Sequence, residues 1–101
     1  MDDTRTGADR QSEVLDVQLL DAFAQIEALL RLGREVQREA LRVRGLPNPV
    51  TPGQRRVAGQ TICQHLDQMR NECRTLGDVM KELRKTATKL DKLLASEAAT
   101  T

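Results

Sequence analysis

Tryptophan and tyrosine are missing from this chain, and Phe23 is its single aromatic residue. Any core must therefore be built from Leu, Ile, Val, Met and Ala, and 101 residues leave room for one small domain without a thick interior. No apolar run approaches the roughly 18 residues that a membrane span needs. The opening MDDTRTGADRQSE is acidic and polar where a secretory signal would be basic and then apolar. These absences set the expectation of an intracellular protein, cytoplasmic or nuclear. A strong charge of one sign is also lacking: the formal net charge is +1, so bulk electrostatics select neither nucleic acid nor membrane.

The residues that carry chemistry are equally scarce. His65 is the only histidine, and Cys63 and Asp67 lie at i−2 and i+2 from it, pointing to other faces of a helix. The later Cys73 does not complete a zinc spacing. On a helix the ten residues from Cys63 to Cys73 span about 15 Å, well beyond the reach of a disulfide. Two reduced thiols acting as small hydrophobes are expected instead. The six glycines never gather into a phosphate-cradling loop. The expectation is a protein with no catalytic residues, metal, cofactor or small-molecule substrate.

What the chain has is periodicity. From Ser12, a candidate N-cap, apolar or small residues recur at Leu15, Leu19, Ala22, Ile26, Leu29, Gly33, Val36, Ala40 and Val43, in alternating steps of four and three. Gly45 stands where a C′ glycine would end such a helix, and Pro47 follows it. A second helix is announced by Thr51-Pro52-Gly53-Gln54, a capping box with proline at the first helical position. Its own seam runs Gly59, Ile62, Leu66, Met69, Cys73, Leu76, Met80, Leu83, Ala87, Leu90 and Leu94. The spacing predicts helices over about 12–44 and 52–95, a disordered tail at 1–11, a tip loop at 45–51 and a frayed end at 96–101.

The two seams fit one another in antiparallel register. Val43 falls opposite Gly59, Ala40 opposite Ile62, and so on down to Leu15 opposite Ala87, with Gly33 facing Met69 and Ala22 facing Met80. The stretch RGLPNPVTPGQRR, which holds all three prolines, thus reads as the tip of one hairpin. Charge agrees with this orientation. Helix 1 from Glu13 to Glu27 has four acids and no Lys or Arg, and lies beside Lys81, Arg84, Lys85, Lys89 and Lys92.

The expected fold class is all-α, an antiparallel two-helix hairpin of coiled-coil type, completed to a bundle by self-association or by a partner. The expectation of a partner comes from surplus apolar residues. Val17, Leu20, Phe23 and Leu30 on helix 1, with Val79 and Leu93 on helix 2, lie outside the seams and form the candidate interface. A second candidate is the arginine-rich tip, Arg31, Arg34, Arg38, Arg42, Arg55 and Arg56, which would suit a nucleic-acid backbone or an anionic membrane. Its competing interpretation is a solvated face in which Glu35 and Glu39 pair with neighbouring arginines.

In length and two-helix outline the chain resembles the small helical-hairpin proteins that bacteria export through type VII secretion. The Trp-x-Gly of that family's turn is here LPNPVTPG, and its tyrosine-based export signal has no tyrosine to build it. No residue role is carried over. Three functional expectations follow. The leading one is a non-catalytic structural or adaptor protein that assembles with itself or another helical protein; the others are a secreted or secretion-linked hairpin and a basic-tip binder.

Overall fold

A computed structural model describes residues 6–100. Two helices pack against each other as an all-α hairpin: α1, Gly7–Val43, and α2, Pro52–Thr100. The ends of both helices follow from local chemistry. α1 is capped by Thr6, whose backbone N–H donates to Asp9 Oδ2 at 3.1 Å while the Asp9 N–H donates to Thr6 Oγ1 at 3.1 Å. Asp9 also places a negative charge in the first turn, where the helix dipole favours it. Helix therefore begins at Gly7, five residues before the Ser12 start that periodicity suggested, and residues 7–11 are its first turns. The remainder of the expected tail, residues 1–5, lies outside the described residues.

The far end of α1 closes with a Schellman motif. Gly45 adopts φ 73°, its N–H donates to the Arg42 carbonyl at 2.9 Å, and the Leu46 N–H donates to the Leu41 carbonyl at 3.0 Å. The Leu46–Pro47 peptide bond is cis. The chain re-enters helix at the capping box read from the sequence: the Thr51 N–H donates to Gln54 Oε1 at 2.8 Å and the Gln54 N–H to Thr51 Oγ1 at 3.1 Å. α2 does not fray after residue 95. It continues to Thr100 through Ser96-Glu97-Ala98-Ala99, a stretch rich in alanine and free of Gly and Pro. Residue 101 is outside the described residues.

Contacts divide the chain into two units: a terminal unit, Met1–Ala24 with Leu76–Thr101, and a loop unit, Gln25–Thr75. In the terminal unit Ala8, Ala22, Leu83 and Thr86 are buried, and Leu93 lies against Gly7. In the loop unit Ala58 is fully buried, and a Cβ on Gly33 would sit 3.9 Å from Met69 Cε, so the expected Gly33–Met69 pairing is present. The predicted seam of α1 is in place except at Ile26: Leu15, Leu19, Ala22, Leu29, Gly33, Val36, Ala40 and Val43 are buried or half-buried, as are Gly59, Ile62, Met69, Leu76, Leu83 and Leu90 of the α2 seam.

The rest of the α2 seam is rotated. On α2 the second row is His65, Glu72, Val79 and Thr86, each one residue before the expected Leu66, Cys73, Met80 and Ala87, all four of which are exposed. On α1, Gln11, Gln18, Gln25, Leu32 and Glu39 are half-buried beside the predicted seam, in which Ile26 is exposed. Replacing an i+4 row by the i+3 row turns a helix by about 50° about its axis. Ala22 accordingly does not pair with Met80, which is 52% exposed. Both rows keep the seven-residue spacing, so periodicity alone does not choose between them. Thr86 fits the inter-helix side because its hydroxyl donates to the Glu82 carbonyl at 3.1 Å and needs no partner across the seam.

Candidate functional site

The rotation leaves each unit with two unlike sides. In the terminal unit a shallow groove runs between Gln11, Val14 and Gln18 of α1 and Glu82, Arg84, Thr86 and Lys89 of α2. In an antiparallel pair the residues on the opposite flank of each helix share the opposite side. There the terminal unit places Leu20 and Phe23, 65% and 53% exposed, with Met80, Ala87 and Leu94 of α2. The loop unit repeats the pattern. Its groove is lined by Ala28, Leu32 and Glu35 with Gln68 and Glu72, and its other side carries Ile26, Leu30, Leu66 and Cys73, all exposed.

Of the six interface residues read from the sequence, Val17, Leu20, Phe23 and Leu30 stand exposed. Leu93 is exposed at the edge, 37%, with its end close to Gly7, whereas Val79 is half-buried in the inter-helix row. More exposed on α2 are Leu66, Met80 and Leu94, which sequence reasoning had assigned to the seam. The signal that finds them is the seven-residue repeat Leu66, Cys73, Met80, Ala87, Leu94, an apolar row beside a second row able to serve as the seam.

The inter-helix side mixes large apolar groups with polar ones. No large side chain is fully buried among the described residues, and Gln18 Oε1, Gln25 Oε1 and His65 Nδ1 are buried without a hydrogen-bond partner. Polar groups held in this way fix register at a cost in stability.

The arginine-rich tip is exposed at every position, Arg31, Arg34, Arg38, Arg42, Arg55 and Arg56. Two of these residues already have carboxylate partners: Arg38 pairs with Glu35 at 3.3 Å and Arg42 with Glu39 at 3.8 Å. Both thiols, Cys63 and Cys73, are free and exposed. Among the described residues no cluster of three or more His, Cys, Asp and Glu could hold a metal ion, and no helix is long and apolar enough to cross a membrane. Comparison of the chain with protein-family models, curated proteins and solved structures returns no match.

Proposed function

We propose that this protein is a non-catalytic assembly module, an adaptor or structural subunit that joins a helical protein by packing the uncovered apolar side of its hairpin against it. One observation carries the reading. In the terminal unit the inter-helix side is filled by Leu15, Leu19, Leu83 and Leu90 together with Ala8, Gln18, Ala22 and Thr86, and yet Leu20, Phe23, Met80 and Leu94 remain exposed, more apolar surface than one hairpin covers. Burying a Leu, Phe or Met side chain stabilises by about 1.5–3 kcal/mol, so a lone chain forgoes on the order of several kcal/mol. Patches of this kind mark interfaces. An intracellular setting accords with the two exposed, unpaired thiols.

The reading is tested by a photo-crosslinking benzophenone side chain placed at Phe23 or, on the outer surface of α2, at Lys92, with the protein expressed in its source cells. Phe23 should give one adduct of defined mass and Lys92 none. Equal yields from the two positions, or none from either, would remove the assembly face.

A further inference from the structure

We infer that the hairpin tip rests on an anionic lipid surface, with its arginines on the headgroups and Leu46 set among the first apolar atoms beneath them. The inference goes beyond the assembly reading and is independent of it, because the tip lies in the loop unit and Leu20, Phe23, Met80 and Leu94 lie in the terminal unit. Its basis is a one-sided charge. From Ala40 to Leu66, across the end of α1, the loop and the first turns of α2, there is no Asp or Glu, and Arg42, Arg44, Arg55 and Arg56 are all exposed. Arg42 pairs with Glu39 at 3.8 Å and keeps its side chain 58% exposed, while Arg44, Arg55 and Arg56 have no carboxylate partner among the described residues.

The second observation is where the apolar side chains of the tip stand. Two shallow hollows meet at Pro49 and Val50; one also takes in Leu46 and Arg42, the other Arg44 and Arg55. The apolar loop therefore lies between arginines on both of its sides. Leu46 is 51% exposed, and Val57, whose own hollow shares Arg42 and Gln54 with the first, is 56% exposed. A nucleic-acid backbone would engage the arginines and leave these apolar groups in water, and Phe23, the single aromatic residue, is far along α1 from the tip and supplies no platform for stacked bases. An anionic bilayer serves both kinds of group. Its phosphates and carboxylates accept from guanidinium forks, and its acyl boundary takes up exposed aliphatic side chains. Such a contact is peripheral, reversible and sensitive to salt.

The experiment measures co-sedimentation of the full chain with phosphatidylcholine vesicles, plain or carrying about one-third phosphatidylserine, at about 0.1 M salt. The wild type should partition onto the anionic vesicles at least about tenfold more strongly than onto the neutral ones, and about 0.5 M salt should remove most of the difference. Arg44→Gln with Arg55→Gln should weaken binding at least about tenfold, whereas Lys81→Gln with Lys92→Gln, the same loss of charge in the terminal unit, should change it by less than about threefold. Leu46→Ser should weaken it by about threefold or more at unchanged charge. Every substituted position is exposed, so each variant should keep the helix content of the wild type by circular dichroism.

Equal partitioning onto neutral and anionic vesicles overturns the proposal, as does an equal loss in the two charge variants. Full affinity in Leu46→Ser would reduce the tip to an electrostatic patch and overturn its seating in the bilayer. A short DNA duplex bound at the same salt, with the vesicles left unbound, would assign the arginines to nucleic acid instead.

Discussion

Gln25 is the residue where the cost of this arrangement is easiest to see. Its Oε1 is buried without a partner in the loop unit, as is that of Gln18 in the terminal unit. An orphaned acceptor costs about 1–3 kcal/mol relative to a paired one, whereas an apolar side chain of similar size removes the penalty. Gln25→Leu should therefore raise the unfolding free energy in urea by about 1 kcal/mol, while Gln64→Leu, on the exposed surface of α2, should leave it nearly unchanged. An unchanged or lowered midpoint for Gln25→Leu would mean that this oxygen is satisfied in solution. The residue is retained, on this account, because a polar group in the seam opposes the slide by one row that the apolar pattern would otherwise permit.

At the scale of the elements, the two junctions that define the hairpin are local and strong. Gly45 needs a left-handed backbone that a Cβ disfavours by about 1–2 kcal/mol, and Thr51 holds the first turn of α2 by a reciprocal cap that contributes about 1 kcal/mol. Gly45→Ala and Thr51→Ala should each lower stability by about 1 kcal/mol in chemical denaturation, and Gly77→Ala, at a helical glycine with open space around it, should raise it by about 0.5–1 kcal/mol. Loss of stability in Gly77→Ala would contradict the open environment assigned to it. These junctions were legible in the sequence because Gly45, Pro52 and the Thr51–Gln54 box act within a few residues. The start of α1 was legible in principle through Thr6-Gly7-Ala8-Asp9, but no large apolar residue accompanies that box until Val14, so periodicity pointed to Ser12. The second row of α2 was not legible. Leu66, Met80 and Leu94 are more apolar than His65, Glu72 and Thr86, and a sequence pattern ranks rows by hydrophobicity.

For the molecule as a whole, the proposed function rests on surplus apolar surface: Leu83 and its half-buried neighbours close the hairpin, while Leu20, Phe23, Met80 and Leu94 stay exposed. The candidate interface was thus half visible in the sequence: Leu20, Phe23 and Leu30 stood out as surplus on α1, while their companions on α2 were hidden inside a seam that looked complete. The most direct test is absolute mass by light scattering behind size exclusion, over a dilution series under reducing conditions, for the wild type and Phe23→Asp purified natively from the source cells. Because Phe23 is 53% exposed in the single chain, the aspartate should cost a lone hairpin little, but in a covered face it would bury a charge. The account predicts a wild type heavier than one chain and a Phe23→Asp variant of one. Wild type and variant sharing a single mass across the dilution series would contradict it.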